Sequence, residues 1–114
     1  MTVPFSLRGA LVLVCLSLGT ACKNDAGPVM AVDPERIYSQ MCARCHGLDG
    51  KGDPEVAKSM PVRDLTSVEI QSRPTEDLER VIMGGKNLMP PFGQALSPRK
   101  IQAVVGHIKK LGRS

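Results

Sequence analysis

Two thiols and an imidazole stand together at Cys42-Ala43-Arg44-Cys45-His46. The thiols are three residues apart, which places both on one turn of helix, and the histidine follows without a gap. C-x-x-C-H is the attachment signature of c-type haem. Two sulfurs so spaced reach the two vinyl groups on one porphyrin edge and form thioethers. His46 is then held beneath the ring with its imidazole aimed at iron. Three other chemistries use similar residues. Zinc wants four ligands, and beyond Cys42, Cys45 and His46 only His107 remains, with His46 awkwardly close to Cys45. A dithiol redox pair belongs in a strand-helix-strand setting, and no strand pattern rich in branched or aromatic residues precedes Cys42. A plain local disulfide is the third.

Six-coordinate haem needs a second axial group, for which the chain offers Met30, Met41, Met60, Met83, Met89 and His107. Met89 differs in its surroundings, Gly84-Gly85-Lys86-Asn87-Leu88-Met89-Pro90-Pro91-Phe92-Gly93. Glycines and prolines there exclude regular helix and produce a rigid irregular loop, which can hold a soft thioether fixed over iron. A thioether opposite imidazole is a known haem-iron arrangement. Met41 and Met83 are expected to fill the core, and His107 falls at the core face or edge of the last helix.

These groups need elements to position them. Asp33-Pro34-Glu35 opens a first helix, with Asp33 as N-cap, Pro34 in the first turn and Glu35 favourable to the dipole. Ile37, Tyr38 and Met41 form its apolar face and lead into Cys42. A second helix starts near Thr75, carries Glu76 and Asp77 in its first turn, presents Leu78, Val81 and Ile82, and stops at Gly84-Gly85. Ser97-Pro98 starts a third, in which Ile101, Val104, Val105, Ile108 and Leu111 recur at helical spacing until Lys109, Lys110 and Gly112 close it. Between Cys45 and Thr75 little periodicity is visible. A loop of that length needs a job, and wrapping a haem edge is one. The fold class is all-α.

Residues 1–21 carry one cation, Arg8, ahead of an apolar run from Gly9 to Leu18. This is the layout of a signal peptide, and it falls short of the ~20 apolar residues of a membrane span. Leu18-Gly19-Thr20-Ala21-Cys22 resembles the bacterial lipobox, in which the Cys after the cut is lipid-modified; ordinary cleavage after Ala21 is the alternative. Residues 22–32 read as a tether and 33–114 as the folded domain. Cys15 leaves with the leader and Cys22 is the processing site, so of four cysteines only Cys42 and Cys45 remain and a disulfide framework fails. Without Arg8 the chain has 14 basic and 11 acidic residues, too small and scattered a surplus to argue for nucleic acid. Without residues 1–21 it keeps only Tyr38 and Phe92 as aromatics. A small domain so poor in bulky apolar residues needs a staple, and a porphyrin supplies one.

From about Asp33 to Leu111 the chain resembles the class I cytochromes c, in particular the small bacterial monohaem group. The resemblance rests on Tyr38, Cys42-Ala43-Arg44-Cys45-His46-Gly47, Asp49-Gly50-Lys51-Gly52-Asp53, Pro61-Val62-Arg63-Asp64-Leu65-Thr66, Met89-Pro90-Pro91-Phe92 and the terminal amphipathic helix. It implies one covalent haem c, first and last helices that cross, and low-spin iron ligated by His46 and Met89. It also implies that the other ring nitrogen of His46 donates to a backbone carbonyl, commonly a proline's, for which Pro54 and Pro61 are candidates. The chain departs from the family in carrying His107 where an aromatic is usual in the last helix. It also has Pro34 where a small residue is usual in the first, and Gly106 is a candidate to supply close helix approach instead.

Iron with both axial positions filled by protein has no site for oxygen, peroxide or substrate, which leaves outer-sphere exchange of one electron. The expected function is a periplasmic, membrane-tethered monohaem electron carrier, not an enzyme, that serves redox protein partners. Arg44, Lys51 and Lys86 flank the haem motifs and either steer acidic partners or are ordinary solvated cations. The alternatives are a catalytic or sensing haem protein with a labile Met89, and a subunit that passes electrons into a larger oxidoreductase.

Overall fold

The computed structural model describes residues 31–114; the leader, Cys22, Met30 and most of the tether lie outside the described residues. Six helices follow in order: α1 (Pro34–Met41), α2 (Ala43–His46), α3 (Pro54–Ala57), α4 (Val68–Gln71), α5 (Thr75–Gly84) and α6 (Pro98–Leu111). The described residues contain no strand, only an isolated antiparallel bridge between Lys86 and Met89. The fold is all-α, as expected.

Two of the three main helices, α1 and α6, begin on a side-chain cap. The Asp33 carboxylate accepts from the Arg36 amide at 3.0 Å and satisfies one of the orphan donors of α1. The Ser97 hydroxyl accepts from the Lys100 amide at 3.4 Å at the head of α6, and Pro98 occupies the first turn. Between α2 and α5 the chain is more regular than its sequence suggests, because α3 and α4 each add one turn. Asp53 caps α3 by accepting from the amides of Glu55 and Val56, and Ser67 caps α4 by accepting from Ile70. Four residues are too few to show a period, so only the caps signalled these turns.

Tyr38, Leu65, Ile70, Leu78, Ile82, Leu96, Ile101, Val104, Val105 and Ile108 form one core. α1 and α6 cross over it, and the Tyr38 and His107 rings meet at the crossing with centroids 4.9 Å apart. His107 thus takes the place of the expected aromatic. Gly106 does not assist the approach: it is exposed, and a Cβ there would meet nothing within 4 Å. A helix-interior glycine in open space costs entropy for no packing return. Gly106→Ala should therefore stabilise the domain by about 0.5–1 kcal/mol, measured as a higher denaturation midpoint at unchanged slope.

Met83 also departs from expectation, since it is 45 % exposed. It sits one residue past buried Ile82, about 100° round the helix, and its side chain lies over Gly93. Met41 packs against the core as expected.

A polar tie joins α4 to α6. The Gln71 Nε2 amide donates to the carbonyls of Leu65 (2.7 Å) and Ile108 (3.1 Å). Lys109 Nζ donates to the carbonyls of Gln71 and Arg73, both at 2.7 Å. A cation from the last helix thereby satisfies carbonyls that the short α4 leaves without partners.

Candidate haem-attachment site

The α1 helix stops at Met41, and Cys42 forms the joint to α2, with φ −108 and ψ −41. The amides of Cys45 and His46 donate to the Cys42 carbonyl at 3.1 and 3.0 Å, so both thiols and the imidazole belong to one tightly wound turn. Both cysteines are free and half-buried. Gly47 ends the turn at φ 72, a conformation that suits glycine. The chain then folds back, with the Gly52 amide donating to the His46 carbonyl and the Asp53 amide to the Cys45 carbonyl, each at 2.8 Å.

The Arg63 carbonyl lies 3.3 Å from His46 Nδ1. A carbonyl only accepts, so Nδ1 carries the proton and Nε2 presents its lone pair. The acceptor is neither Pro54 nor Pro61 but a residue two places beyond the latter. It depends on the path of the loop, which the sequence does not display. That path is held by the Leu65 amide donating to the Gly50 carbonyl at 2.7 Å, by burial of Leu65, and by Arg63 Nη1 donating to both carboxylate oxygens of Glu69 at 2.8 and 3.0 Å. Burial lowers the His46 pKa, with the hydrogen bond to Arg63 opposing. Both the tautomer and the neutral state suit a metal ligand.

Burial pushes the Cys42 thiol up to about 11. A redox dithiol needs the opposite shift, so this environment argues against the oxidoreductase reading. Among the described residues no group of three or more His, Cys, Asp or Glu side chains is placed to hold a metal ion.

Tyr38 anchors the turn from below. Its hydroxyl donates to the Gly47 carbonyl at 2.8 Å, and the residue is 1 % exposed. Burial raises its pKa well above the ordinary value, with Cys42 and Asp49 adding to the rise. The folded state therefore favours the neutral phenol. The resulting stabilisation is complete below the unfolded pKa, about 10, and is lost as pH climbs above it. Tyr38→Phe should cost about 1 kcal/mol at neutral pH and flatten the alkaline loss of stability, as followed by thermal melts across the alkaline range.

Met89 sits in a loop pinned at both ends. Its amide and carbonyl exchange bonds with Lys86 at 2.9 and 3.0 Å, and the amides of Phe92 and Gly93 donate to the carbonyls of Ile82 and Met83 at the end of α5. Asn87 adopts φ 53 at the tip. Met89, Phe92, Cys42 and Ala43 all pack against the single core. The core thus brings the α2 turn and the methionine loop to one body. Cys22 lies outside the described residues.

Two free thiols on one turn, an imidazole with a free Nε2 and a separately anchored thioether form a donor set that fits a haem. A family model described as cytochrome C oxidase, cbb3-type, subunit III, matches residues 30–108. Cytochrome c6 of Microcystis aeruginosa is 33% identical over 76 residues, covering 67% of this chain and 90% of that protein. Cytochrome c6 of Gloeothece citriformis is 26% identical over 102 residues, covering 90% of each. The cbb3-type cytochrome c oxidase subunit FixP of Azorhizobium caulinodans is 31% identical over 78 residues, 67% of this chain but only 25% of that protein. The solved structure of the KustC0563 c-type cytochrome superposes with a TM-score of 0.64 at 27% identity, covering 70% of this chain and 98% of that one. Fold, motif and relatives agree, and the chain belongs to the cytochrome c family as a monohaem c-type cytochrome with covalently bound haem c.

Proposed function

We propose that this protein is a periplasmic electron carrier in which Cys42 and Cys45 form the thioethers and His46 and Met89 are the axial ligands. The haem supplies a one-electron Fe(III)/Fe(II) couple. The chain's own residues do the rest. The Arg63 carbonyl holds the proton on Nδ1 of His46 and so sets which nitrogen faces iron. The proline-rich loop restrains Met89, whose thioether favours the reduced state. The observation that carries this reading is the His46–Arg63 hydrogen bond, because it fixes the proton on Nδ1 and leaves the Nε2 lone pair free for a metal. Held by both His46 and Met89, the iron would exchange electrons without binding a substrate, and the partners would be redox proteins. The test is the visible spectrum of oxidised and reduced protein together with intact mass. Loss of the methionine–iron charge-transfer band at neutral pH, or rapid carbon monoxide binding to the reduced form, would favour a catalytic or sensing role.

Among the described residues no helix is long and apolar enough to cross a membrane. We place the anchor at Cys22, as a lipid carried by the tether, on the strength of the leader and the lipobox-like stretch before it. Cys22→Ala should move the protein from the membrane fraction to the soluble fraction. A wild-type protein already soluble, with the mass of an unmodified Cys22, would remove the anchor. A second reading, in which the tethered domain passes electrons into a larger oxidase, draws support from the oxidase-subunit family model and from FixP. Co-purification with an oxidase separates it from a free carrier.

A further inference from the structure

After Glu79 the chain contains no acidic residue, while Arg80, Lys86, Arg99, Lys100, Lys109, Lys110 and Arg113 all follow. Five of these cations lie on α6 or in its closing turn. Lys109 is turned inward to the carbonyls of Gln71 and Arg73. The other four, Arg99, Lys100, Lys110 and Arg113, are exposed, and none is ion-paired among the described residues. At 3.6 residues per turn, Arg99, Gln102, Gly106, Lys110 and Arg113 fall on one stripe, opposite the buried Val104 and Ile108. Lys100 lies on its flank.

Two features of the stripe work against the stability of the helix itself. Arg99 and Lys100 occupy the first turn, where the helix dipole disfavours cations. Gly106 stands at its exposed centre with nothing within 4 Å of a Cβ. Nothing inside the domain accounts for either choice, whereas a flat anionic surface outside it accounts for both. The stripe carries no large apolar side chain, so it suits adsorption rather than insertion.

The start of the domain lies close by. Asp33, where the tether ends, lines the same recess of about 490 Å³ as His107 of α6, together with Glu35, Arg36 and Leu48. The Asp33 carboxylate there is engaged by the Arg36 amide. Residues 22–32 span roughly 40 Å at full extension, and α6 is about 21 Å long. A domain held by that tether keeps α6 permanently within reach of the membrane.

From the charge of this stripe and its distance from the tether, we propose that the outer face of α6 is a docking surface for the anionic headgroups of the membrane that carries the lipid anchor. It orients the tethered domain. The inference rests on the anchor reading for its geometry, but vesicle binding is measured without the anchor, so the two fail separately.

The experiment uses holo-protein exported behind a cleavable leader with Cys22→Ser, and vesicles of phosphatidylglycerol and phosphatidylcholine or of phosphatidylcholine alone. Binding should require phosphatidylglycerol and fall with salt. Each stripe charge removed should weaken partitioning about fivefold, the equivalent of about 1 kcal/mol. The variant Arg99→Gln/Lys100→Gln/Lys110→Gln/Arg113→Gln should therefore lose more than a hundredfold, by about the same rule. The control Lys51→Gln/Lys58→Gln/Arg80→Gln/Lys86→Gln, which removes equal charge elsewhere, should bind as the parent does. Equal loss in both variants would reduce the effect to net charge and overturn the proposal. So would absence of binding to phosphatidylglycerol vesicles, or a stripe-dependent preference for a polyglutamate peptide over vesicles, which would mark an acidic protein as the occupant.

Discussion

With Met89 as the proposed ligand, Met89→Ala should lower the reduction potential by some hundreds of millivolts, within the ~0.8 V over which axial ligands act, and open the iron to exogenous ligands. The expectation follows from what surrounds the thioether. The loop is tied through Lys86 and through the amides of Phe92 and Gly93 to α5, and those ties do not involve the Met89 side chain. The fold should survive the substitution with only the proposed ligand removed. Potentiometry and carbon monoxide titration of the reduced protein check both effects. An unchanged spectrum would mean that another methionine ligates; of those in the described residues, Met41 and Met60 are half-buried and Met83 is exposed.

Gly85→Ala should do comparable damage through the backbone alone. Gly85 has φ 72 and ψ 168, a region essentially reserved for glycine. A Cβ there would lie 2.7 Å from the Met89 carbonyl oxygen and 2.8 Å from the Pro91 nitrogen, both backbone atoms that cannot swing aside. Conformational strain and overpacking together should cost about 2–4 kcal/mol. The protein can relieve part of this only by moving the methionine loop. Stability should therefore fall, and the methionine–iron absorption should weaken even in molecules that remain folded. Gly84→Ala is the matched control, because Gly84 is helical and a Cβ there would meet nothing within 4 Å. If Gly84→Ala and Gly85→Ala behave alike, the loop is not braced by backbone contact at Gly85.

The clustering of Cys42, Cys45 and His46 could be read directly because covalent and coordinate chemistry demands a fixed local spacing, which one turn of helix satisfies without help from the rest of the chain. The three main helices were legible for the same reason. Asp33-Pro34, Thr75 with its acids, and Ser97-Pro98 are local start signals, and Leu78, Ile82, Ile101, Val104, Val105 and Ile108 carry the helical period into the core. The methionine loop was legible from its glycines and prolines.

What stayed hidden in the sequence lies across the chain rather than along it. The acceptor for His46 is Arg63, 17 residues away, and its identity follows from how a loop without period is tied down by Gly50, Glu69 and Gln71. Gly106 looked suited to helix approach, yet the crossing of α1 and α6 is made by the Tyr38 and His107 rings and leaves the glycine facing out. Met83 looked like core and lies on the rim. Residue types and their spacing were enough to point to a covalent haem and to nominate the groups proposed to hold it, since those signals live within a single turn or loop. Which carbonyl orients the imidazole, which backbone atoms brace the methionine and which helix face is left bare were decided only when distant segments met, because hydrogen-bond partners and exposure are properties of packing.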